Sequence, residues 1–135
     1  MGNDVERLKQ LLREGRCCAV ALVQLALEDR GEANPALLQA VSGLCGGVQS
    51  GMVCGALTGA ACMLNLAAPD RANERMVPEL AEWFQATMGE RFGGCDCADI
   101  TGGEPLNKAA RCPAVIEATY LQAQEILERY RPEGH

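Results

Sequence analysis

Apolar residues recur at helical spacing from the start of the chain. Val5, Leu8, Leu11 and Leu12 fall on one face and predict a short helix that Gly15 ends. A second helix is predicted from Cys17 or Cys18 to Asp29, almost wholly apolar through "AVALVQLAL" and closed by "DRGEANP". Asn34 as N-cap and Pro35 at the first helical position open a third, which carries Leu37, Leu38 and Val41. The glycines of "CGGVQSG" mark a loop, and the run from Met52 to Ala67 predicts a fourth helix. Its Gly55, Gly59 and Ala60 would let a neighbouring helix come close. Asp70 is placed to cap a fifth helix, in which Val77, Leu80, Ala81, Phe84 and Met88 share a face. Pro78 sits inside that pattern and calls for a kink or a start nearer Met76. "FGGCDCADITGGEP" has no periodicity and reads as a long polar turn. The last helix is expected to open at Cys112-Pro113, to bury Ile116, Tyr120, Ala123 and Leu127, and to place Arg129 and Arg131 at its C-terminal end.

No charged side chain stands between Glu32 and Asp70, so a membrane span has to be weighed. A span needs about 20 mainly apolar residues. Gly46, Gly47, Gln49, Ser50 and Gly51 interrupt this run, and the apolar piece that remains, Met52 to Ala68, contains Thr58 and Asn65. It has no flanking aromatic belt and no positive cluster. A buried core helix is the better reading, and its glycine-lined face could also support a homodimer contact.

Composition turns this pattern into a fold class. Alanine and leucine fill 36 positions, against 15 for valine, isoleucine and threonine. The expectation is an all-α, single-domain bundle of about five to six helices covering residues 1–135. Of the net charge of −6, residues 70–104 carry most, with eight acidic side chains against three basic. No Lys/Arg cluster exists to neutralise phosphates, which argues against nucleic acid. The charged, amphipathic start "MGNDVERLKQLLREGR" has no apolar signal region, so the expected location is cytoplasmic. Eight cysteines in a reducing compartment point to metal binding or redox chemistry rather than to structural disulfides.

Those cysteines are Cys17, Cys18, Cys45, Cys54, Cys62, Cys95, Cys97 and Cys112. No pair has C-x-x-C spacing, and the one histidine is His135 at the C-terminus. Thioredoxin motifs, Cys-His dyads, two-histidine zinc sites and haem attachment are thereby excluded. Cys18, Cys54 and Cys112 fall at predicted helix starts, where free N–H groups and the helix dipole favour thiolate, with Arg16 and Arg111 nearby. Asp96 and Asp99 oppose ionisation of Cys95 and Cys97. If the helix starts converge on the 94–102 loop, four sulfurs would line an anion-stabilising pocket, and an iron–sulfur cluster held by four thiolates is such an anion. Cys62 is read as core, and Cys17 and Cys45 as structural.

"CGALTG", Cys54 to Gly59, stands after a glycine-rich loop and before an apolar helix. With this central motif the chain resembles the redox-active proteins named for the C-GCAxxG-C-C pattern. "CAVAL" from Cys18 matches the first family cysteine, with Cys17 an offset alternative. "CADITG" from Cys97 matches the third, and "CPAVIEA" from Cys112 the fourth. The resemblance runs from about Gly15 to Tyr130. It implies redox activity through Cys18, Cys54, Cys97 and Cys112, an unidentified redox partner, and genes that often neighbour those of transporters. A similar domain in the split-Soret cytochromes is associated with an iron–sulfur centre. Three readings stay open. The four cysteines could ligate a cluster, most simply a two-iron one, for electron transfer. They could run metal-free thiol–disulfide or persulfide exchange with Cys54 or Cys112 as attacking thiolate. They could hold structural zinc in an interaction module.

Overall fold

The computed structural model describes residues 2–130, so Arg131 and His135 lie outside the described residues. Among the described residues the fold is all-α, but seven α-helices stand where five to six were expected. In chain order they are α1 (Gly2–Arg13), α2 (Cys18–Asp29), α3 (Pro35–Val41), α4 (Gly55–Ala67), α5 (Val77–Phe92), α6 (Cys97–Thr101) and α7 (Pro105–Tyr130). None of the described helices is long and apolar enough to cross a membrane.

Local signals set most of the boundaries. Asn34 Oδ1 accepts the Leu37 amide at 3.1 Å and Pro35 opens α3, as the sequence predicts. Asp70 does not cap α5. A wide turn over Ala72–Met76 leads into that helix instead, and Pro78 falls in its first turn, where a missing N–H costs no helical bond. The polar stretch after α5 is not all loop, because Cys97–Thr101 form α6 and bury Ile100. Asp99 Oδ2 accepts the Asp96 amide at 3.2 Å and fixes that start.

The largest departure concerns α7, which begins at Pro105 rather than at Cys112. Two prolines fit the first position of the last helix, and the earlier one is used. Pro113 therefore lies inside the helix and leaves the Ala109 carbonyl without its helical donor.

The main core gathers Leu8 and Leu11 of α1, Leu22 and Leu25 of α2, Met63 and Leu64 of α4, Leu80, Phe84 and Met88 of α5, and Ile116, Tyr120 and Ile126 of α7. A second cluster forms on the other side of α2, where Ala19, Val23 and Leu27 meet Val41 and Cys45. This explains why α2 is apolar around nearly its whole circumference: it is buried from both sides. The Tyr120 hydroxyl donates to Asp4 at 3.2 Å and ties α7 to α1. Glu79 of α5 accepts from Arg129 and, at 2.9 Å, from the Tyr130 hydroxyl of α7.

A thiol-lined cavity between four helices

Cys18, Cys54, Cys97 and Cys112 line one cavity of about 280 Å³. Cys18 is the first residue of α2, Cys54 the N-cap of α4 and Cys97 the first residue of α6. Three of the four thiols thus stand at helix starts. Cys112 does not, since α7 has run for two turns before it. Cys95 is half-buried against the main core outside the cavity lining, and Cys62 packs beside the second cluster.

The close approach of α2 and α4 depends on the two glycines of the CGALTG motif. A side-chain carbon at Gly55 would stand 2.5 Å from the Cys18 sulfur, and one at Gly59 would stand 2.7 Å from the Ala19 Cα. Glycine is the residue that lets the Cys18 thiol and the α2 backbone occupy this space. The Cys97 amide donates to the Met52 carbonyl at 2.6 Å, and Val53 and Asp96 form an antiparallel bridge. These contacts bring the segment that ends at Cys54 beside the start of α6. Arg111 donates to the Ile100 carbonyl at 2.9 Å and lies over the Phe92 ring, which binds α6 to α7 at the level of Cys112.

The electrostatics differ from the sequence expectation. Burial pushes the Cys18 thiol up, against the pull of the Ala19 N–H, and the nearby Cys112 and Cys97 sulfurs add to the rise. The Cys54 thiol is pushed up to about 12, because burial outweighs the pull of the Ala56 N–H. Burial raises Cys112 as well, with Lys108 acting in the opposite direction. Helix-start N–H groups do favour thiolate here, but desolvation is the larger effect. The cations are also rearranged. Arg111 serves α6 and Phe92, while Arg16 borders the cavity but is engaged by Gln24 at 3.1 Å and Glu14 at 3.8 Å. Lys108, one helical turn before Cys112, is the cation that acts on that thiol.

A pH dependence follows. The unfolded Cys54 thiol ionises near 9.0 and the folded one near 12, so the native state holds a proton that the unfolded state has lost. This thiol takes nothing from the stability of the metal-free chain below pH 9. Between pH 9 and 12 it should remove about 1.4 kcal/mol per pH unit. Denaturant midpoints from pH 8 to 10.5 will fall more steeply in the native sequence than in Cys54→Ala, and parallel slopes would contradict the assignment.

The sequence reading missed one further feature. The Cys17 and Cys45 sulfurs are bonded, with Cα atoms 6.0 Å apart, within the range a disulfide spans. Cys17 is the N-cap of α2 and borders the cavity itself. Its neighbour Cys18 points elsewhere on the helix and stays free.

The family model described as "Putative redox-active protein (C_GCAxxG_C_C)" matches residues 16–126, most of the chain. The chain belongs to this family. In this C_GCAxxG_C_C protein the matched region takes in all seven of the cysteines from Cys17 to Cys97 as well as Cys112. Comparison with curated proteins and with solved structures gives no match. Among the described residues, no three Cys, His, Asp or Glu side chains meet closely enough to hold one metal ion.

Proposed function

We propose that Cys18, Cys54, Cys97 and Cys112 of this redox-active protein hold an iron–sulfur cluster, a two-iron one, and that the protein transfers single electrons to a partner in the cytoplasm. The observation that carries this reading is the lining of one part-open cavity by four unpaired thiols. The chemistry of the donors fits. Four thiolates complete the ligand set of such a cluster, and because the irons share them no three need surround one ion. A single zinc ion would require all four donors at about 2.3 Å from one point, an arrangement the described side chains do not make.

The protonation of the thiols supports the same reading. Buried thiols held above their usual range are poor nucleophiles near neutral pH, which weakens Cys54 or Cys112 as the attacking group in metal-free exchange. A ligand thiol gives up its proton when metal binds, so burial is no obstacle to coordination. When bound, the cluster would supply a one-electron couple whose potential depends on nearby charge and burial. Within this chain, Lys108 places positive charge beside Cys112, and Leu12 and Ile116 keep that side of the cavity apolar.

A second reading, thiol–disulfide or persulfide exchange without metal, is favoured by the bonded Cys17–Cys45 pair at the cavity wall. Protein purified without oxygen separates the two. The cluster reading expects brown protein with iron and acid-labile sulfide in equal amounts. Colourless, iron-free protein whose free thiols fall by two on mild oxidation would replace it with the second reading.

A further inference from the structure

The bonded pair is held away from the four cavity thiols, yet it is joined to the cavity at both ends. Cys17 immediately precedes Cys18, and Cys45 immediately precedes Gly46, which also borders the cavity. From Gly46 the backbone turns left-handed for four successive residues, with φ of 63°, 65°, 58° and 56° at Gly46, Gly47, Val48 and Gln49. Glycine takes such angles at little cost, but Val48 is β-branched and Gln49 has an ordinary side chain, so both are strained there. The Met52 amide donates to the Gly47 carbonyl at 3.0 Å and Gln49 Nε2 donates to the Ser42 carbonyl at 3.2 Å. At its far end the turn reaches Met52, whose carbonyl receives the Cys97 amide. The same short segment therefore links the start of α2, through Cys45, to the start of α6. Strained backbone persists only where its surroundings over-determine it, and the covalent bond at Cys45 is the strongest constraint on this turn.

We propose that Cys17–Cys45 is a second redox site, a reversible disulfide latch that holds the left-handed turn against the thiol cavity and opens it when a dithiol reduces the bond. The proposal rests on the reading of the cavity as the redox site, but it does not require a cluster. One thiolate of the dithiol attacks the Cys17 sulfur, the S–S bond breaks, and Cys45 leaves as a thiolate that takes up a proton. The second thiol of the dithiol then closes on the mixed disulfide and releases Cys17, which is protonated in turn. Two electrons pass from the dithiol to the protein, and the dithiol becomes a disulfide. Cys17 is the accessible sulfur of the pair, being partly exposed where Cys45 is buried. With the bond open, the strained turn is free to relax and the wall between Cys18 and Cys97 loosens. In the cytoplasm, the location expected from the sequence, the disulfides that do form are usually transient or redox-sensing.

The test uses the full chain, stripped of metal by a chelator. Alkylation in denaturant should label six cysteines before treatment with dithiothreitol and eight after it. In native buffer, dithiothreitol should make Cys17 and Cys45 alkylatable and raise the labelling rate of Cys54 by about tenfold or more at constant pH. Substituting both Cys17 and Cys45 by alanine should give the fast rate with or without reductant. Val48→Gly, which keeps the disulfide but removes most of the strain, should reduce the response to dithiothreitol. Eight labels before reduction, a disulfide that native dithiothreitol does not open, or an unchanged Cys54 rate would each overturn the latch. Iron and sulfide, measured on a separate anaerobic sample, decide the cluster independently. A tenfold response in the stripped chain, with no iron in the anaerobic sample, keeps the latch and removes the cluster, and no response in the stripped chain, with iron and sulfide in the anaerobic sample, does the reverse.

Discussion

Serine in place of Cys18, Cys54, Cys97 or Cys112, one at a time, will lower the iron and sulfide content of anaerobically purified protein by about an order of magnitude, while Cys62→Ser and Cys95→Ser will retain it. The contrast comes from position. The first four side chains line one cavity, Cys62 packs beside the second hydrophobic cluster, and Cys95 lies against the core outside the cavity. A hydroxyl is a harder donor than a thiol and gives up its proton far less readily, so it is a poor replacement for a thiolate on iron. Stability has to be separated from ligation. Cys54 is only 6% exposed, and although the Ala56 N–H can serve a serine oxygen at this N-cap, burying the hydroxyl proton without an acceptor costs about 1–3 kcal/mol. Cys54→Ala removes the donor without burying a polar group. If both substitutions lose iron while far-ultraviolet dichroism keeps its helical signal, the loss is one of ligation. Equal loss from Cys62→Ser would show that the cavity is not where iron binds.

The gathering of the thiols was legible in part, because two of them follow signals that act locally. An apolar helix starts at Cys18, another starts just after Cys54, and the motif glycines at Gly55 and Gly59 announce a tight helix contact. Other features were not legible. Helix α6 has five residues, too few for a periodic pattern, and it exists because Asp99 caps its start and Arg111 binds its last turn from another helix. Two glycines and a proline precede Lys108, so the first turns of α7 look like loop, and the pairing of Lys108 with Cys112 one turn later goes unseen. The readings of thiol ionisation were wrong in sign for Cys18, Cys54 and Cys112. A sequence shows a helix start, but not how deeply the sulfur at that start is buried. The Cys17–Cys45 pairing is a contact across 28 positions, and spacing alone cannot select it among eight cysteines.

Two glycine-to-alanine substitutions within helices will have opposite signs. At Gly89 of α5 an added carbon meets nothing within 4 Å, so Gly89→Ala replaces a poor helix former with the best one and should stabilise by about 0.5–1 kcal/mol. Gly59 lies in α4 and would gain the same propensity, but its new carbon would come to 2.7 Å from the Ala19 Cα and 3.1 Å from the Ala19 carbonyl oxygen. Those are backbone atoms of α2, which cannot turn aside as a side chain can, so the whole helix must shift. α2 is held by the main core on one side and by the second cluster on the other, and close-packed surroundings make such a shift costly. Overpacking of this kind costs about 1–3 kcal/mol, which outweighs the propensity gain, and Gly59→Leu should exceed what the fold can bear. Ala19 directly follows Cys18, so the displacement reaches the cavity, and Gly59→Ala should lose iron as well as denaturant stability while Gly89→Ala keeps both. A Gly59→Ala protein as stable as the native one would mean that α2 and α4 do not approach as closely as described, and the cavity between them would have to be redrawn.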